Sequence, residues 1–256
     1  MRLRGIGAVL CFLCQSAWAA NTWTIGNIPA YYRGTYGTGQ TIGIFYDPTF
    51  LQYHTKTLRL KLTIPYMSVS NLPVGTTLTN GTVSTRTSST TTQTVSGWGD
   101  VWLAAHDTVI PERGLRPAIV PYAKVKLGTA QVSKGLGTGK NDYEFGVGIN
   151  TTIATNMFPF AHVGYRFVGS PAGQQLRDIA TYDAGVSVAI TNQSIWTFMY
   201  SGGQSEQSGY AGPSDAIVAW NYNVTSAGSG FQVYLDKGLS NGSAQLGGGV
   251  GGQIVF

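Results

Sequence analysis

Apolar and polar residues alternate with a period of two along most of the chain, in segments of about ten residues. This is the pattern of strands that have one face toward apolar surroundings and the other toward water. Leu58, Leu60, Leu62, Ile64 and Tyr66 alternate with Thr57, Arg59, Lys61 and Thr63. Tyr143, Phe145, Val147 and Ile149 alternate with Asp142, Glu144, Gly146, Gly148 and Asn150. The same two-step runs from Tyr182 to Ile190 and from Val218 to Val224. Less regular segments fit as well: Thr24–Arg33, Gln40–Asp47, Trp98–Val109, Pro117–Leu127, Phe158–Val168, Ser194–Ser201, Gly230–Lys237 and Ser243–Phe256. No segment sustains a helical period. The pattern predicts about twelve strands, each near the 9–11 residues that a tilted membrane-spanning strand needs.

The connections sort into two classes. Val69–Gly97, Gly128–Lys140, Gly169–Gln175 and Gly202–Pro213 read as long or polar loops, with Ser240–Gly242 a short exception. Pro48–Tyr53, Ile110–Arg116, Ala154–Met157, Thr191–Gln193 and Thr225–Ser229 read as tight turns that alternate with them. Such asymmetry is a property of outer-membrane barrels, which have short periplasmic turns and longer outer loops. The expected fold is therefore all-β, a transmembrane antiparallel β-barrel, and an even strand count places both termini on the periplasmic side.

Composition narrows the alternatives. Of 256 residues, 43% are apolar and only 11% charged, against about 25% charged in an ordinary soluble domain. Mean hydropathy is nonetheless close to zero, which fits a lipid-facing skin averaged with a polar lining. The formal charge of +5 is scattered rather than clustered on one face, so nucleic acid is not an expected partner. Met1-Arg2-Leu3-Arg4, the apolar Gly5–Cys14 stretch and the small-x-small Ala17-Trp18-Ala19 read together as a secretory signal peptide, residues 1–19, with residues 20–256 as one barrel. Both cysteines, Cys11 and Cys14, fall inside that leader, so the exported chain is expected to carry no disulfide.

Charged residues inside strands are the informative polar positions. Arg59, Lys61, Lys124, Lys126, Glu144, Arg166, Asp183 and Asp236 sit on the polar parity of their strands, which in a barrel faces the lumen. On the lipid face an Arg or Lys at midplane would cost about 2–4 kcal/mol. The pairs Arg59/Lys61 and Lys124/Lys126 would bias such a lumen toward anions or polarisable aromatics. A salt-bridged plug that holds a narrow interior together is the alternative for the same charges.

Other motifs carry less. Gly135, Gly137, Gly139 and Lys140 lack the Ser or Thr and the following helix that a phosphate loop requires. His106 and Asp107 are adjacent on a strand and so point to opposite faces, which prevents them from acting as a base and its orienting acid in one pocket. His106 and His162 have no Ser, Asp or Glu motif to fix a mechanism, so no catalytic residue, metal site or cofactor is expected. The Thr/Ser run Thr76–Ser96 reads as a plain solvated loop. On the final strand Leu246, Val250, Ile254 and Phe256 share one parity. An apolar last strand that ends in Phe256 resembles the signal by which the outer-membrane assembly machinery recognises its substrates.

Ser96-Gly97-Trp98-Gly99-Asp100-Val101-Trp102-Leu103, Pro121–Leu127 and Lys134–Tyr143 resemble one family, as do Tyr31–Gly39, Pro159–Phe167 and Leu235–Gly242. These are the outer-membrane proteins described as involved in the meta-pathway of phenol degradation, including sphingosine-induced relatives. The resemblance implies a monomeric or weakly associated barrel in the bacterial outer membrane. It also implies a role in passage of small, often hydrophobic or aromatic, compounds. Trp98 and Gly128-Thr129 depart from the residues common in that family. The expected function is a passive channel or uptake protein, with outer-membrane lipid, the assembly machinery and an unidentified small solute as partners. The alternative is a structural or surface-interaction barrel with a plugged lumen. A membrane-embedded hydrolase would require His106 or His162 beside a nucleophile.

Overall fold

A computed structural model describes residues 21–79, 82–87, 89–114 and 116–256; the leader reading falls outside them. The strands, in chain order, are β1 (Thr22–Asn27), β2 (Ala30–Gly34), β3 (Ile42–His54), β4 (Leu58–Pro73), β5 (Thr77–Thr79), β6 (Thr82–Thr85), β7 (Thr92–Trp98), β8 (Val101–Asp107), β9 (Ala118–Leu127), β10 (Asp142–Asn150), β11 (Met157–Phe167), β12 (Ile179–Ala189), β13 (Ser194–Gly203), β14 (Ser214–Asn223), β15 (Gly230–Gly238) and β16 (Leu246–Val255).

Two pairs of these are single crossings interrupted once. β1 and β2 pair with β3 and β16 in one continuous register, broken only at Ile28-Pro29, where proline supplies no N–H to the ladder. β7 and β8 cover successive stretches of β4. The register of this second crossing slips by one residue at Gly99-Asp100, which is a β-bulge. With the short β5–β6 hairpin set apart, every crossing pairs antiparallel with its chain neighbours, and β1–β2 closes onto β16. The result is a closed twelve-stranded antiparallel barrel. At the seam Trp23 and Phe256 exchange both backbone hydrogen bonds, at 2.8 and 2.9 Å.

The outside is an apolar skin. Phe145, Val147, Val163, Phe198, Leu235, Val250 and Ile254 are all exposed, and aromatic side chains gather toward both rims. Trp23 packs on Tyr53 at 4.7 Å and Trp220 on Phe231 at 5.4 Å at the short-turn rim. Tyr165 packs on Phe167 at 5.3 Å and Tyr182 on Tyr200 at 6.0 Å at the long-loop rim. An apolar band between two aromatic girdles is how a barrel matches the hydrocarbon core and the two interfaces of a bilayer, so the molecule is a transmembrane β-barrel.

Three expectations are corrected by this geometry. Pro48–Tyr53 is not a turn but the continuation of β3, and the reversal comes at residues 55–57. The strand survives its proline because Pro48 sits opposite Pro65 of β4. Val69–Gly97 is shorter as a loop than expected, since β4 runs on to Pro73 and β7 begins at Thr92. The Thr/Ser-rich stretch between them is not plainly solvated: it folds into the β5–β6 hairpin, whose Leu78, Thr79, Val83 and Ser84 are buried. Leu78 N–H donates to Gly135 O at 2.9 Å, which ties the hairpin to the next long loop.

Candidate functional site: the barrel lumen

Inward side chains are set by the pleat, and cross-strand neighbours on the inner face follow the register. Lys126 stands beside Asp142, Lys124 beside Glu144, Glu144 beside Arg166 and His162 beside Asp183. All but Arg166 are buried, and Arg166 is only 11% exposed. On this wall the charges neutralise one another. Lys126 Nζ lies 2.8 Å from Asp142 and 3.7 Å from Asp100, Lys124 Nζ 3.2 Å from Glu144, and Arg166 2.9 Å from Glu144 and 3.5 Å from Glu206. Tyr122 O–H donates to Glu144 at 3.0 Å and Thr181 O–H at 3.4 Å. His162 Nδ1 meets the Asp183 carboxylate.

The expected anionic bias from Lys124/Lys126 is therefore not built here, because both cations are held by carboxylates. Arg59 is buried beside His54 and His106, its neighbours in register. Lys61 is half-buried with Nζ 4.1 Å above the centre of the Phe50 ring. His162 has a carboxylate partner, Asp183, on the adjoining strand.

The opposite wall differs. Tyr32, Tyr46, Ile42, Ile44, Met67 and Val69 from β2, β3 and β4 are buried together, and Tyr32 and Tyr234 share a hydroxyl–hydroxyl hydrogen bond of 2.5 Å. Space for these rings comes from β16, where a Cβ at Gly247 would overlap Tyr32 and one at Gly249 would overlap Tyr234. Asp236 lies on this side with Asp215, apart from the ion network. The lumen thus has a charge-compensated wall facing an aromatic and aliphatic one.

At the long-loop end the β5–β6 hairpin leans over the mouth. Between it and β10–β13 lies a pocket lined by Arg86, Glu144, Arg166, Thr181, Asp183 and Glu206 among others. The pocket holds about 70 Å³ of space open to water, room for roughly five molecules at about 10–15 Å³ each. Arg86 latches the hairpin. Its Nε donates to Tyr36 O, its guanidinium lies 4.8 Å from the centre of the Tyr210 ring, and its backbone N–H donates to Gln207 Oε1 at 2.8 Å. Burial pushes the Arg86 pKa down from its ordinary value, against the opposing pull of Tyr210 and Glu206.

Several of these residues are absent from the sequence-derived set. Asp142 lies on the same polar parity as Glu144 and was legible there. Asp100 was not: strict alternation groups it with Trp98 and Trp102, whereas the bulge turns Trp98 outward to 60% exposure and Asp100 fully inward. Asp215 is the second residue of β14, ahead of the alternating segment from Val218.

Fold and lumen define a narrow transmembrane barrel with a partly covered mouth. No family model matches the chain, and no curated protein does. Among solved structures, it is similar to an outer-membrane channel from Pseudomonas putida F1, at 10% identity and a TM-score of 0.70, over 96% of this chain and 100% of that one. It is also similar to the NanC porin, at 10% identity and a TM-score of 0.54, over 90% of this chain and 98% of that one. At such identities the likeness is one of fold.

Proposed function

We propose that the chain is a passive channel of the bacterial outer membrane for small amphiphilic compounds, aromatic ones included, and not an enzyme. One observation carries this reading: the lumen has two unlike walls, a compensated ion network on β8–β12 and a tyrosine and aliphatic surface on β2–β4 and β15. A solute with one polar and one apolar edge can keep both satisfied along such a path, whereas a small ion finds no uncompensated basic lane at Lys124 and Lys126. The family resemblance in the sequence and the description of the similar folds as channel and porin support it. The reading includes residues 1–19 as a cleaved leader, both termini in the periplasm, Phe256 as the contact read by the assembly machinery, and a monomer or weak oligomer in lipid.

The test is permeability of protein refolded into phosphatidylcholine vesicles. Phenol-sized aromatic solutes should equilibrate faster than across empty vesicles, and planar bilayers should show small discrete conductance steps. Silence in both assays from a folded barrel would overturn the proposal. It would favour the second reading, a plugged structural barrel, which the hairpin across the mouth supports.

A further inference from the structure

The buried acids of the two walls are treated differently. Asp100, Asp142, Glu144 and Asp183 each lie against a basic side chain. Asp215 and Asp236 have no ion pair among the described residues, although they are only 1% and 3% exposed. Asp215 Oδ2 and Asp236 Oδ1 are both without a hydrogen-bond partner. Nearby basic residues in the sequence do not help, since Arg33 and Lys237 are exposed on the outward parity and Arg86 is engaged with Tyr36 O and Tyr210. An ionised carboxylate removed from water without a counter-charge is strongly unfavourable, and two side by side are worse.

They are side by side. Asp215 is opposite Gly238 and Asp236 opposite Ile217 on the neighbouring strand, which makes the two acids a diagonal pair on one face, about 7–8 Å apart at the backbone and closer at the side chains. A third group completes the arrangement. The Tyr36 ring, 1% exposed, lies close enough to Asp236 and Asp215 to feel both charges, and its hydroxyl also lacks a partner. Ser243, buried in the loop that follows β15, accepts from Ser214 N–H at 2.8 Å and donates to Ser214 O at 3.1 Å, next to Asp215 in the chain. The unpartnered groups here are oxygens, from two carboxylates and one phenol.

We propose that Asp215, Asp236 and Tyr36 hold a hard divalent cation, calcium in preference to magnesium. Calcium accepts oxygen ligands in irregular number and geometry, whereas magnesium demands a near-ideal octahedron. Bound there, the ion ties β14 and β15 to the connection between β2 and β3 at residues 35–41, through Tyr36, and so orders the end of the barrel where Arg86 latches the hairpin. With two carboxylates rather than four or five, affinity belongs in the weak range of extracellular calcium modules, on the order of 10⁻⁴–10⁻³ M.

Terbium is a direct probe, because tyrosines Tyr32, Tyr36 and Tyr234 surround the site and would sensitise its emission. Full-length exported chain refolded in neutral detergent should show terbium luminescence on tyrosine excitation, displaced by millimolar calcium. Emission should fall at least tenfold in the Asp215→Asn/Asp236→Asn double variant, and Tyr36→Phe should weaken binding several-fold. The double variant removes charge from a buried site and is expected to fold, which heat-modifiable gel mobility checks. No emission from folded wild-type protein, meaning that the acids share protons instead, would overturn the proposal. Emission that survives in the folded double variant, meaning an adventitious ion elsewhere, would also overturn it. Solute leakage measured with and without calcium separates this outcome from failure of the channel reading.

Discussion

Tyr122 sets the inner contour of the charged wall at the scale of single residues. Its ring lies across β10 and reaches β11, so that its hydroxyl meets Glu144, and a Cβ built at either Gly146 or Gly164 would overlap it. Overpacking a fitted interior costs about 1–3 kcal/mol, and the obstruction here is mostly the hydroxyl end of the ring. Gly164→Ala should therefore destabilise the barrel by about that amount in denaturant unfolding from lipid vesicles, and adding Tyr122→Phe should recover part of the loss. Full stability of Gly164→Ala would mean that the ring is free to leave the wall. Glu144, 1% exposed, is the hub of the network, bonded by Lys124, Arg166, Tyr122 and Thr181. Glu144→Gln leaves two shielded cations facing a neutral amide. Breaking a buried pair in this way costs about 3–5 kcal/mol, and unfolding in the same vesicles would reveal it. A cost under 1 kcal/mol would mean that water reaches the network.

The β5–β6 hairpin is the element that decides how open the mouth is. Threonine-rich and nearly uncharged, it reads as solvated from composition, yet Leu78 and Val83 give it an apolar side that packs inward, and the Arg86 latch fixes its base. Replacing Val74–Thr91 by a short Gly-Ser turn between β4 and β7 should leave the barrel folded and raise single-channel conductance several-fold. Unchanged conductance would place the constriction deeper, at the ion network. The β7–β8 crossing teaches a different lesson about elements. A single extra residue at Gly99-Asp100 reverses the parity of everything beyond it, so the alternating pattern on either side was legible while the relation between the two sides was not. Pro48 and Pro65 likewise looked like breakers, and only their pairing across β3 and β4 shows that two strands accommodate them together.

For the whole molecule, the dominant fact is that its apolar residues face out. Val163, at the middle of β11, is 59% exposed, and in a bilayer that exposure is to hydrocarbon. Val163→Arg should cost about 2–4 kcal/mol of unfolding free energy in lipid. Arg placed at Ser201, half-buried on the inner face, should change conductance more than stability. Equal costs at the two positions would contradict the assignment of faces. Deleting Phe256, whose side chain is 67% exposed while its backbone seals β16 to β1, should lower the yield of assembled barrel in vesicles supplied with the assembly machinery.

Much of this was written in the chain itself. Period two, about ten residues per segment, outer apolar parity and inner charged parity are local properties of an extended backbone, and bilayer and water read them strand by strand. Hence the barrel, its strand number and the parity of Arg59, Lys61, Lys124, Lys126, Glu144, Arg166, Asp183 and Asp236 could be read without coordinates. What each charge meets could not. Whether Lys126 finds Asp142, whether Asp215 stands beside Asp236, and whether a threonine-rich loop turns into the mouth all depend on register around a closed ring. One bulge or one crossing of unexpected length shifts every neighbour, and only the completed hydrogen-bond circuit fixes those relations.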